Sequence, residues 1–240
     1  MCIRDRTTSN KTLPRVGVVY DLTNSIGLFS GYGEGMRLPS SGTYREPIKP
    51  SMSKQAEIGL KLKNWNNLYG TFAWYDLTRT NVPATCDEVY ACQVGKQNSK
   101  GVDLDLRWVI TSQLTGLLGY SNQDAKIVEN ATNVGKSLAG VPDTTYRLGA
   151  QYDIRAGELA GFGVGGGLRY HSKLPVNASN SAYTESVTVY DASISYRVKD
   201  VKLGLVVNNL LDKKYFVPSS VGNYYPGLRR TVMLTSSLSF

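Results

Sequence analysis

Histidine is almost missing from this sequence: His171 is alone among 240 residues. With no second histidine, no Gly-x-Ser-x-Gly elbow and no His-Glu-x-x-His, the chain offers no hydrolase constellation. A zinc site is poorly supported for the same reason. No run of eighteen or more apolar residues occurs, so no transmembrane helix is expected. A transmembrane β-barrel stays open, because its strands are short and apolar only at alternate positions. Basic runs are absent as well. The net charge is +8, but Lys and Arg are scattered and no nucleic-acid-binding module is recognisable, so no nucleic-acid partner is expected. The glycine-rich stretch "GFGVGGGLRY" is not a dinucleotide fingerprint, since no helix follows it. Phe162, Val164, Leu168 and Tyr170 instead continue a strand, with Gly163, Gly165 and Gly167 on the opposite face, where another element could approach closely.

What is plentiful points one way. Sixteen Tyr and 24 Gly, with 41% hydrophobic and 19% charged residues, describe an ordered all-β protein built from aromatics and turns. Eleven segments read as strands, near 14–22, 25–33, 54–63, 67–79, 99–110, 113–123, 144–155, 161–171, 187–198, 201–209 and 229–240. Many alternate with the period of two that puts successive side chains on opposite faces. Val102, Leu104, Leu106, Trp108 and Ile110 oppose Asp103, Asp105 and Arg107; Tyr146, Leu148, Ala150, Tyr152 and Ile154 oppose Arg147, Gly149, Gln151 and Asp153. Segment 67–79 carries aromatics on both faces and is ambiguous.

The connections alternate too. Those after the first, third, fifth, seventh and ninth strands hold about two to five residues, and those after the even strands about 15 to 20. Structureless loops longer than about 12–15 residues are uncommon in compact soluble domains. Five of them, alternating strictly with tight turns, fit an antiparallel meander with its short turns at one end and its long loops at the other, as outer-membrane barrels have. Alternation itself does not separate a barrel from a soluble sandwich, because either apolar face must be covered, by lipid or by a second sheet. Three features favour the barrel. The strands approach the length that a tilted span needs. Trp65, Trp74, Trp108, Tyr120, Tyr170 and Tyr196 gather toward strand ends, as interfacial girdles do. The polar face carries Glu57, Asp103, Asp105, Arg107, Arg147, Arg169 and Arg197, which suits a wet lumen.

The chain closes on "TVMLTSSLSF", in which Val232, Leu234, Leu238 and Phe240 share a face. An alternating strand with a terminal aromatic fits the periplasmic edge of a barrel. At the other end, "MCIRDR" is too short and too polar for a signal peptide, and residues 1–12 are expected to be a non-native or disordered leader. Eleven is an odd count, whereas single-chain bacterial barrels have even numbers. The expectation is therefore part of a larger barrel.

The last 33 residues, "NNLLDKKYFVPSSVGNYYPGLRRTVMLTSSLSF", resemble the C-terminal box of TonB-dependent outer-membrane receptors. Asn209, Leu210, Leu211, Asp212, Lys213 and Tyr215, then Gly227, Arg230 and Phe240, carry the likeness. Upstream, "KQAEIGLKLK", "GTFAWYDLTRTNV", "NSKGVDLDL", "LAGVPDTTYRLGAQYDI" and "VTVYDASISYRV" resemble paired strands of the siderophore-receptor branch, in that family's order. The resemblance implies an up-and-down transmembrane barrel of 22 strands, of which about 11 lie in residues 13–240. It places an internal plug, the TonB box and the first strands outside this chain. It further implies a bacterial outer-membrane location and uptake of a ferric siderophore as transported ligand, with no bound cofactor. TonB is the expected partner, through the region outside this chain. Outer-membrane lipid and the barrel-assembly machinery are expected too, the latter reading a C-terminal signal that includes Leu238 and Phe240. A receptor for haem, cobalamin or a sugar, a passive porin or adhesin, and a soluble sandwich are the rivals.

The candidate sites follow from that frame. Cys86 and Cys92 lie in the long loop 80–98, where an oxidising, exposed setting favours a disulfide over free thiols or metal binding. Tyr44, Arg45, Tyr90, Tyr183, Tyr224 and Tyr225 are candidate ligand contacts, since Tyr and Arg suit a bulky polar chelate by stacking and hydrogen bonding. The siderophore is expected to hold the iron, with no protein ligand to it. Asp103 and Asp105 share a face, and the neighbouring Lys100 and Arg107 point to charge pairing rather than acid–base catalysis. No enzyme is expected.

Overall fold

A computed structural model describes residues 10–38, 49–85, 91–130, 132–218 and 223–239. Its strands, in chain order, are β1 (Arg15–Asp21), β2 (Ile26–Arg37), β3 (Ser51–Trp65), β4 (Leu68–Thr85), β5 (Ala91–Val109), β6 (Leu114–Glu129), β7 (Thr144–Asp153), β8 (Phe162–His171), β9 (Val187–Val198), β10 (Val201–Asn208), β11 (Phe216–Pro218), β12 (Tyr224–Pro226) and β13 (Thr231–Leu238). Eleven form one antiparallel sheet in the order β1 to β10 and then β13; β11 and β12 pair separately. Each of the eleven expected strands is present. The connections after β1, β3, β5, β7 and β9 lie at one end of this meander and those after β2, β4, β6, β8 and β10 at the other.

Register explains the two faces. Leu106, Leu118, Leu148, Leu168 and Tyr190 stand opposite one another on successive strands. The next row of the same face, two residues along, is Trp108, Gly116, Ala150, Gly166 and Ala192. On the ambiguous fourth strand, Phe72 and Trp74 take the apolar face opposite Leu104 and Val102, while Tyr69 and Tyr75 take the polar face opposite Arg107 and Gly101. The apolar face is bare. Leu148 and Ile194 are 45% exposed and Leu234 is 81% exposed, values that a sandwich core would not tolerate. Tyr146 and Tyr152 flank Leu148 and Ala150 on β7, Tyr190 and Tyr196 flank Ala192 and Ile194 on β9, and the Tyr146 and Tyr170 rings stack at 4.5 Å.

Two expectations need correction. Segment 80–98 is largely strand, because β4 runs on to Thr85 and β5 begins at Ala91. The extension carries polar residues on both faces (Thr78, Arg79, Thr80; Gln97, Asn98), so no apolar alternation marks it in the sequence. Asn98 Nδ2 holds it internally by donating to Asp76 Oδ1 at 2.6 Å and Thr78 Oγ1 at 3.1 Å. Second, Lys100 cannot pair with Asp103 or Asp105. It lies between Asp76 and Asp124, on the other face. Among the described residues, Asp103, Asp105 and Arg107 form no ion pair.

The glycines of β8 hold a smaller surprise. A side chain at Gly163 or Gly165 would collide with Gln151, Asp153, Ser193 or Ser195. Their space is taken by the polar residues of neighbouring strands, with Gln151 Nε2 donating to Asp153 Oδ1 at 3.0 Å.

Candidate functional site

Two hydrogen-bonded structures are built at the end of the sheet that carries the long connections. The first is a hydrogen-bonded knot in segment 209–230. Asn209 follows β10 with φ of 52°, a left-handed turn that asparagine tolerates, and it is 3% exposed. Its Nδ2 donates to the carbonyls of Lys213 at 2.9 Å and Leu228 at 3.1 Å, and its Oδ1 accepts from the Lys213 N–H at 2.8 Å. One carboxamide thus ties the start of the segment to its end.

Below the knot, the Asn209 N–H donates to Asp191 Oδ1 at 2.9 Å, and the same carboxylate receives Arg169 Nε at 2.8 Å and Nη2 at 3.1 Å. Above it, Asp212 accepts from Arg229 through Nε at 2.8 Å and also through Nη2, and from the Arg230 N–H at 3.0 Å. Those bonds, Arg229's first, hold the Asp212 carboxyl well below the usual carboxylate range, since donors to the charged form favour it. Gly227 completes the turn: its N–H donates to the Tyr215 carbonyl at 2.8 Å, and any side chain there would enter the Tyr215 ring. The box residues Asn209, Asp212, Tyr215 and Gly227 therefore act together. Sequence reading singled out Arg230 and missed Arg229, the residue that grips Asp212.

The second structure is a hairpin over Leu174–Thr184. Val176 N–H donates to the Ala182 carbonyl and Thr184 N–H to that of Leu174, each at 2.9 Å, with Pro175 bridged to Tyr183. Asn177 and Asn180 make the tip: Ser181 N–H donates to Asn177 Oδ1 at 3.1 Å, and Asn180 has φ of 55°. Leu174 and Val176 are buried together with Ala125, Ile127, Val187 and Val189, which lie on the polar-face side of the upper ends of β6 and β9. The hairpin thus folds over the polar face of the sheet.

Segment 130–143 locks it there. Where β7 stops pairing with β6, at Asn122, this segment takes over the β6 edge: Ile127 N–H donates to the Lys136 carbonyl and Leu138 N–H to that of Ala125, each at 2.9 Å. It then bonds the hairpin through Gly140 N–H to the Pro175 carbonyl at 2.8 Å, and through Asn180 to both backbone groups of Ser137 at 2.8 and 2.9 Å. Gln123 joins the far side, accepting from Tyr75 Oη at 3.0 Å and donating to the Pro142 carbonyl at 3.1 Å.

Of the candidate contacts, Tyr183 lies on the exposed side of this hairpin, with Lys173 Nζ 4.7 Å from its ring centroid. Tyr224 and Tyr225 lie on β12 in the other long segment; the Tyr224 ring meets Phe216 edge-on at 6.1 Å. Tyr183 makes no hydrogen bond or ring contact with Tyr224 or Tyr225. Leu238 ends β13 opposite Val201 and is exposed. The backbone of Cys92 pairs with Ala84 in the β4–β5 extension. Tyr44, Arg45, Cys86, Tyr90 and Phe240 lie outside the described residues. Lower on the polar face, a depression of about 520 Å³ is lined by Tyr69, Asp105, Arg107, Arg147, Arg169 and Asp191.

Comparison with known proteins gives this geometry its context. Residues 3–210 match the family model described as TonB dependent receptor-like, beta-barrel. An uncharacterized TonB-dependent receptor of Haemophilus influenzae is 30% identical over 96% of this chain and 72% of its own length. The ferrioxamine receptor of Yersinia enterocolitica is 30% identical over 98% of this chain, which spans 34% of that relative. Among solved structures, the ferric-catecholate import receptor Fiu of Escherichia coli superposes with a TM-score of 0.73 and 27% identity, over 94% of this chain and 34% of that one.

Proposed function

The chain belongs to the TonB-dependent receptor-like β-barrel family, and we propose that it forms part of the wall of an outer-membrane receptor importing a ferric siderophore. On this reading residues 13–240 are barrel and residues 1–12 are not. The observation that carries it is the bare apolar band on a single eleven-stranded meander, with segments 130–143 and 174–184 hydrogen-bonded to each other, and segment 209–230 to itself, at one end of it. An apolar face without a covering layer needs lipid, and closed antiparallel barrels are how strands cross a bilayer.

The long-loop end then faces outside and captures the chelate, while the charged polar face lines the lumen. Tyr183, Tyr224 and Tyr225 are the described contact candidates on that end, joined by Tyr44, Arg45 and Tyr90, with Cys86 and Cys92 as a stiffening disulfide. The siderophore keeps the iron. TonB, acting on a region outside this chain, supplies the energy; the barrel-assembly machinery reads the C-terminal strand with Leu238 and Phe240. No catalysis is part of this reading.

Expression of the full gene in a strain lacking its siderophore receptors tests it. Radioiron uptake from at least one ferric siderophore is expected, abolished by loss of TonB. Uptake of haem or cobalamin with none of iron chelates would overturn the substrate, and recovery of the protein in the soluble fraction would overturn the barrel.

A further inference from the structure

The Leu174–Thr184 hairpin presents a cation and an aromatic ring as one unit. Resting on the siderophore reading, we propose that Lys173 and Tyr183 form a specificity subsite for an anionic aromatic iron-chelating arm, a catecholate, in preference to a hydroxamate. Three features of the hairpin support this.

The platform is held by burial and hydrogen bonds within this chain. Leu174 and Val176 anchor its underside, and Gly140, Ser137 and Asn180 bond it to the neighbouring segment. Little ordering is left to oppose binding. Within this chain Tyr183 is 44% exposed, with Lys173 Nζ lying 4.7 Å from its ring centroid on one side. Offset stacking of a second ring on what remains open is a favourable aromatic geometry.

Neither the Tyr183 hydroxyl nor the Lys173 ammonium has a hydrogen bond or ion pair among the described residues. The hydroxyl can donate to a catecholate oxygen, and the ammonium faces the negative charge of the complex. A ferric tris-hydroxamate is neutral and has no ring to stack, so it gains less from the ammonium and nothing from the ring face.

Glu185 opposes this arrangement. The Pro175–Tyr183 bridge and the Leu174–Thr184 bond place it across the hairpin from Lys173, yet the two form no ion pair, and the lysine turns to the ring. Removing that carboxylate should therefore help an anionic ligand.

The test uses the receptor produced from its full gene in detergent, titrated separately with a ferric tris-catecholate and a ferric tris-hydroxamate. Tyr183→Ala should weaken catecholate binding about tenfold, and Lys173→Gln by about fivefold. Tyr183→Phe, which keeps the ring, should cost about threefold, and Glu185→Gln should strengthen binding. Hydroxamate affinity should stay within about twofold throughout. Heat-modifiable electrophoretic migration checks that each variant is folded.

Catecholate affinity unchanged in both Tyr183→Ala and Lys173→Gln, equal loss of both chelates, or a wild type that takes hydroxamates alone would overturn the subsite and leave the siderophore reading standing. A wild type that binds neither chelate would overturn both.

Discussion

Asp212 and Arg229, 17 residues apart, clasp each other through both carboxylate oxygens and two guanidinium nitrogens. The clasp closes the segment that joins β10 to β13. It shares Asp212 with the Arg230 backbone, so the entry into the last strand is held from the same carboxylate.

The acid response of this segment follows from that carboxylate. Its pKa is depressed in the folded state, so its stabilising contribution is fully present above the unfolded value of about 3.9. It is lost only as pH falls further, through the depressed folded value. Pepsin cleavage within 209–230 should therefore stay low down to about pH 4 and rise below it. Asp212→Asn should make the segment susceptible to protease already at neutral pH.

Asn209→Ala removes two donors and one acceptor at a buried position and also forces alanine into a left-handed turn. A loss of about 2–4 kcal/mol is expected, read by urea unfolding of the refolded receptor in lipid. Asn209→Gly should recover the turn's share of the loss and leave the hydrogen-bond share.

Val176 is 2% exposed beneath the hairpin. Val176→Ala should destabilise the platform by about 1–3 kcal/mol. Because segment 130–143 is bonded to the hairpin, amide exchange should accelerate in both by a similar factor. Acceleration confined to 174–184 would mean that the two open independently.

The two faces of β7 predict opposite tolerance. Leu148 lies in the apolar band and Gln151 on the polar face. Leu148→Arg should cost about 2–4 kcal/mol in a bilayer. Gln151→Arg, beside Asp153, should cost less than about 1 kcal/mol. Refolding yield into vesicles across a urea series distinguishes them.

The sheet was legible in the sequence because strand alternation is a local signal: Leu104–Leu106–Trp108 and Tyr146–Leu148–Ala150 announce their faces without knowledge of any neighbour. Alternating loop lengths then implied the meander. The β4–β5 extension was not legible, since past Trp74 both faces are wet and periodicity has nothing to sort. Nor was the Leu174–Thr184 hairpin, whose buried Leu174 and Val176 make sense only against the upper ends of β6 and β9. Among the contact candidates, Tyr183 is legible as a loop aromatic; its coupling to Lys173 depends on the Pro175–Tyr183 bridge.

Sequence alone determined the strands, their two-faced character and their order, because each depends on residues two apart or on the length of one connection. Tertiary structure decided which charges meet. Lys100 sits near Asp103 in the chain but on the other face of the sheet, while Arg229 rather than Arg230 reaches Asp212 across the closed turn. Side-chain pairing depends on register and on the direction in which a turn closes, and neither is set by any one segment.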